Sequence, residues 1–180
     1  MSTQVDIPGY VAGTWVIDTA RSDVSFQVRQ LGVFTIGGTF DDFEGTIVTR
    51  ENPRDSSVSA VIRTASVNTK NKIRDRHLRT DDFLKVEQYP TMTFASTGVR
   101  VDGDSFLVDG DLTILAVTKQ VTLTVETNGF GVGHDGKPLA RFSAYTEVNN
   151  REYGVIRGAT AVVASNKIKV ILKIEANKQD

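Results

Sequence analysis

The stretch Arg74–Asp75–Arg76–His77–Leu78–Arg79–Thr80–Asp81–Asp82–Phe83 packs cations, acids and a histidine into one short segment. His77 has Asp75, Asp81 and Asp82 close in sequence. A carboxylate beside an imidazole raises its proton affinity, which would suit a general acid or base. The competing role is structural: the ring bonds a carboxylate or a backbone carbonyl and pins its segment in place. The structural role is the favoured one. His134 lies in Gly133–His134–Asp135–Gly136 and reads as an exposed turn residue. The chain has two histidines and no cysteine. Disulfides, thiolate metal sites and cysteine nucleophiles are therefore excluded. A three-ligand transition-metal site would need carboxylates from unrelated segments. No Gly-x-Ser-x-Gly elbow or phosphate-binding loop precedes a helix. Val101–Asp102–Gly103–Asp104 recurs as Val108–Asp109–Gly110–Asp111, but its acids miss the calcium-loop spacing. The expectation is a protein with no cofactor, no metal and no convincing catalytic constellation.

The elements around this segment are strands. Val24, Phe26 and Val28 alternate with Ser25, Gln27 and Arg29. The same period of two recurs at Val58–Ala60–Ile62, Met92–Phe94, Val121–Leu123–Val125, Ala140–Phe142–Ala144 and Ile168–Val170–Leu172–Ile174. One apolar and one wet face per strand is the pattern of antiparallel sheets. Asp102–Gly103, Asn52–Pro53–Arg54–Asp55 and Gly133–His134–Asp135–Gly136–Lys137–Pro138 supply turns. Gly37, Gly38, Gly45, Gly98 and Gly110 fall in or beside strands, where glycine marks corners or close approach. The spacing predicts one all-β antiparallel sandwich or barrel, with about eight strands, near the number that closes into a barrel. Asn71–Thr80 lacks the alternation and predicts one short helix over the barrel, capped by Thr69 or Asn71, with Ile73 and His77 on one face.

Bulk properties narrow the function. The chain has 180 residues, enough for one domain with a sizeable core. A net charge of −1 gives no long-range pull on polyanions, so no nucleic-acid partner is expected. No apolar run approaches the roughly 20 residues that span a bilayer. Met1–Ser2–Thr3–Gln4–Val5–Asp6 lacks the basic and apolar regions of a secretory signal, so the expectation is a cytoplasmic protein. The apolar phases nominate an interior of Phe26, Val28, Phe40, Phe43, Ile62, Met92, Phe94, Leu112, Ile114, Leu123, Val125 and Phe142. By periodicity these residues either fill a dry core, as in many small barrels, or line a lumen. Periodicity alone gives the dry core the edge.

The ordered motifs resemble the YceI-like family of lipocalin-like, polyisoprenoid-binding proteins. They are Trp15-x-Ile17–Asp18, Ser22-x-Val24-x-Phe26-x-Val28, Leu31–Gly32, Gly38-x-Phe40 and Phe43-x-Gly45. Arg74–Asp75-x-His77–Leu78–Arg79-x-Asp81-x-Phe83, Tyr89–Pro90, Phe94-x-Ser96–Thr97, Gly110-x-Leu112–Thr113–Ile114 and Val117–Thr118 complete them. The resemblance covers about Gly13 to Glu175 and gives a domain of residues 13–176, an N-terminal arm of 1–12 and a tail of 177–180. It implies an extended barrel around an apolar tunnel. The twelve residues become lumen-lining, and the ligand is a long-chain isoprenoid or similar amphipathic lipid such as a polyprenyl phosphate or quinone. It also implies a carrier, store or sequestering role, commonly as a homodimer. Arg29, Arg76, His77 and Arg79 are candidates for the headgroup end; equally, they form a solvated face that holds the helix by ion pairs. The alternative function is a barrel enzyme acting on an isoprenoid-like substrate, with His77 as acid or base and Asp75 or Asp81 orienting it. Two positions depart from the family pattern: Arg21 and Gln30 stand where histidines are common. Those departures bear on headgroup preference.

Overall fold

The computed structural model describes residues 7–30, 34–155 and 164–180. The Leu31–Gly32 motif lies outside them. The strands are β1 (Gly13–Ile17), β2 (Asp23–Gln30), β3 (Phe34–Phe40), β4 (Phe43–Thr49), β5 (Ser57–Arg63) and β6 (Val67–Asn68). They continue with β7 (Thr91–Asp102), β8 (Ser105–Ile114), β9 (Val117–Val132), β10 (Pro138–Asn149) and β11 (Ala164–Lys178). Helix α1 is Lys72–Leu78, and α2, which the sequence pattern did not reveal, is Asn150–Tyr153. The strand order is β1-β4-β5-β7-β8-β9-β10-β11-β2-β3-β6, and β1 pairs with β11 to close the ring.

Three pairs of these strands are halves of single broken strands, which makes the closed barrel eight-stranded. β1 and β2 both run along β11, Ile17 opposite Ala176 and Asp23 opposite Lys173. Between them the chain jogs outward at Asp18–Ser22. Glu175 holds the jog: its carbonyl accepts from the Asp18 amide at 2.8 Å, and its amide donates to Ser22 Oγ at 3.0 Å. β3 and β4 follow β2 and β1 in the same way, broken at Asp41–Asp42. β5 and β6 are split by a turn at Thr64–Ser66. All pairings are antiparallel. Barrel closure satisfies the backbone groups that an edge strand would leave open.

The pairing separates two ends. The turn after β7, with Gly103 at φ +59°, and the turn after β9, with Gly136 at φ +79°, lie at one end. Here Trp15 is buried against Phe130, with ring centroids 5.6 Å apart, and its indole Nε1 donates to Thr49 Oγ1 at 2.9 Å. Ala140 and Ala176 complete this cluster. Tyr10 packs edge-on against Phe130 and donates its hydroxyl to the Arg50 carbonyl, so the described part of the N-terminal stretch is tied to this end of the barrel. β11 runs to Lys178, which pairs with Trp15, so the barrel extends past residue 176. At the other end Met92, Ile114, Leu115, Val148 and Tyr153 form a second buried cluster.

β6 is the last strand in the order, and among the described residues no strand pairs with its outer edge. The following segment, with α1, forms the wall there. Asn71 caps α1 by accepting from the Arg74 amide at 3.0 Å. Past the helix end, the Arg79 guanidinium donates to the carbonyls of Ala65 (2.9 Å) and Val67 (3.4 Å). These bonds stitch α1 to the β5–β6 turn.

Candidate functional site

The barrel encloses a cavity of about 530 Å³. That volume falls within the roughly 300–1,000 Å³ of pockets that hold small organic ligands. All twelve interior residues nominated from the strand phases lie on its wall: Phe26, Val28, Phe40, Phe43, Ile62, Met92, Phe94, Leu112, Ile114, Leu123, Val125 and Phe142. Their side chains therefore border a void instead of filling the barrel solid. Val24, Ile47, Phe130, Val170, Leu172 and Ile174 join them. All but Phe130 belong to the same alternating phases and could have been named on that ground; Phe130 lies past an irregularity in the β9–β10 register that takes it off the Val121–Leu123–Val125 phase.

Two glycines shape the wall by making room for rings. Gly38 pairs with Phe26 across β2–β3, and a Cβ there would sit 2.5 Å from the Phe26 ring. At Gly110 a Cβ would collide with the Phe94 ring and approach the Ala95 carbonyl oxygen at 2.9 Å. The outer atoms of both rings occupy the space of a missing side chain, so the glycines set how far each phenylalanine reaches into the cavity.

Most of the wall is apolar, with Ser25, Thr49, Ser56, Ser57, Thr69, Thr127, Thr146 and Asn150 as its neutral polar members. The ionisable side chains with a formal charge or an imidazole are Glu44, Arg74 and His77. Glu44 is exposed and ion-paired to Arg63 at 3.2 Å. His77 Nε2 lies 2.9 Å from Asp82 Oδ2, and the imidazole meets Phe83 edge-on at 4.9 Å. Its side chain is 52% exposed, so the cavity wall meets solvent at this point. The carboxylate on the imidazole is Asp82. Asp75, named from sequence as a partner, is buried and accepts from the Thr69 amide and hydroxyl, and Asp81, also named from sequence, is not the residue that pairs with the ring.

The other headgroup candidates stand elsewhere. Arg29 is on the exposed phase of β2, and Arg76 is on the exposed side of α1. Arg79 spends its guanidinium on the carbonyls described above. None of the three lies on the cavity wall. Arg21 is also outside it, 3.8 Å from Glu175, beside Arg141 at 3.0 Å from the same carboxylate. The wall cation that sequence reasoning missed is Arg74, partly buried, with Nε donating to Thr69 Oγ1 at 2.8 Å and Nη2 to the Thr69 carbonyl at 2.9 Å. Ile73 beside it points to solvent and is 82% exposed. Helix α1 thus turns a cation inward and an isoleucine outward, the reverse of what apolar periodicity suggests.

The comparisons with known proteins agree with this architecture. The YceI-like domain model matches residues 15–176. Protein YceI of Escherichia coli O157:H7 is 38% identical over 172 residues, covering 94% of this chain and 89% of that protein. The crystal structure of the Campylobacter jejuni YCEI protein superposes with a TM-score of 0.75 at 30% identity, over 84% of this chain and 90% of that one. A polyisoprenoid binding domain from Saccharophagus degradans, implicated in plant cell wall breakdown, superposes with a TM-score of 0.65 at 19% identity, over 94% of this chain and 100% of that one. With a closed eight-stranded barrel, the ordered motifs and this agreement across nearly its whole length, the chain belongs to the YceI-like family.

Proposed function

We propose that this protein binds a long isoprenoid or a similar amphipathic lipid, with the hydrocarbon tail in the barrel cavity, and acts as a carrier, store or sequestering protein without catalysis. The observation that carries the reading is the cavity of about 530 Å³ with a wall built mostly of apolar side chains from the strands. Such a space offers a hydrocarbon an exit from water and offers little that would orient a polar reactant. Each buried methylene contributes about 0.8 kcal/mol, so a five-carbon unit contributes on the order of 4 kcal/mol before losses. Lost translation and chain freedom offset much of this, and a few buried units still suffice for tight binding. The polyisoprenoid-binding character of the Saccharophagus degradans neighbour supports the choice of ligand class. No helix among the described residues is long and apolar enough to cross a membrane.

Organic extraction of the purified protein followed by mass spectrometry tests the proposal. A stoichiometric, long-chain apolar species is expected. An empty extract, together with no uptake of an added polyprenol, would count against it. Among the described residues, His77 on the wall with Asp82 beside it forms a pair that could move a proton, and both side chains are half or more exposed. For the binding reading, His77→Ala leaves tail uptake intact.

A further inference from the structure

The three ionisable wall residues are not equivalent. Glu44 has Arg63, and His77 has Asp82. Arg74 has no ion-pair partner among the described residues. It is partly buried beside an apolar cavity, and arginine does not escape the cost of burial by losing its proton. Charges in such places ordinarily have a partner.

The guanidinium is nonetheless held in one orientation. Thr69 accepts from Arg74 Nε through its hydroxyl and from Nη2 through its carbonyl. The same hydroxyl donates to the buried Asp75 carboxylate, which also accepts from the Thr69 amide. Asp75 is thereby engaged by Thr69 and reaches Arg74 only through that hydroxyl. A guanidinium carries five N–H donors, and the bonds to Thr69 leave about three of them free. A fixed cation with free donors, set into a mostly apolar wall, is complementary to an anionic group attached to a hydrocarbon.

We infer that Arg74 is the headgroup anchor and that it selects lipids ending in a phosphate or carboxylate over those ending in an alcohol or quinone. The inference rests on the tail-binding reading above and adds the head. The apolar wall supplies affinity common to every tail, and the charge-assisted bonds from Arg74 supply the discrimination between heads. Two such bonds made out of bulk water correspond to roughly tenfold or more in affinity.

The test uses two probes with one tail, geranylgeranyl phosphate and geranylgeraniol, titrated calorimetrically into delipidated protein. The expected result is that wild type binds the phosphate at least about tenfold more tightly. Arg74→Gln brings the phosphate to the level of the alcohol; Arg74→Lys keeps part of the preference. Equal affinities in wild type overturn the inference and leave tail binding standing, as does a preference that survives in a folded Arg74→Gln variant. If neither probe binds wild type, the tail-binding reading falls and the headgroup assignment falls with it. Should Arg74→Gln fail to fold, the wild-type comparison and Arg74→Lys still decide the matter.

Discussion

Two side chains off the cavity wall tie this barrel's stability to measurable chemistry. Asp109 on β8 receives both arms of the Arg100 guanidinium at 2.7 Å and the Thr122 hydroxyl at 2.6 Å. These bonds, Arg100's first, hold its carboxyl at about 2, below the ordinary 3.8. The folded state thus prefers the charged form, so the contribution is fully present above the ordinary value and is lost as pH falls through 3.8 toward about 2. Asp109→Asn should therefore lower the melting temperature near neutral pH, and its gap from wild type should close in that acid window. A gap that stays constant to the lowest pH would contradict the assignment. Tyr153 is the opposite case. Its phenol is buried, and its oxygen has no hydrogen-bond partner among the described residues. Burial, with the nearby Glu152 charge, pushes it up to about 12, so it is neutral throughout the working range. Replacing it with Phe removes an unpaid polar group, so Tyr153→Phe should leave stability unchanged or raise it by on the order of 1 kcal/mol in chemical denaturation.

The strands and the helix differed in how far they could be read in advance. A strand of period two has two faces, and the apolar one goes in, so Phe26, Phe94 and Leu123 could be placed on the interior side without coordinates. Helix α1 has no such simple rule. Its roll is fixed by Asp75 turning to Thr69 and by Arg79 gripping Ala65 and Val67, contacts made across the chain. That roll puts Arg74 inward and Ile73 outward, and no local pattern encodes it. The break between β1 and β2 was equally hidden, because it is held by Glu175, more than a hundred residues away. The glycines can be tested at this scale. Gly110→Ala would drive a methyl into the Phe94 ring and against the Ala95 carbonyl, which is backbone and moves little. It should cost about 1–3 kcal/mol, measured by denaturant titration, and should push Phe94 farther into the cavity. Gly98, where an added Cβ meets nothing within 4 Å, is the control and should tolerate alanine on that measure.

As a whole molecule, the barrel combines two sealed clusters with an unfilled middle. Trp15, Phe130 and their neighbours pack one end, and Met92, Ile114, Leu115 and Tyr153 pack the other. Between them the apolar side chains that would ordinarily interlock leave about 530 Å³ open. Empty apolar volume lowers stability, because its lining loses packing partners. A tail that fills it restores those contacts, so the ligand-bound barrel should be the more stable form. The most direct test is a crystal structure of the protein after incubation with geranylgeraniol. Continuous, branched density for the tail is expected within the wall formed by Phe26, Phe94, Leu123 and Phe142. An interior closed by those same side chains, with no ligand density, would contradict it.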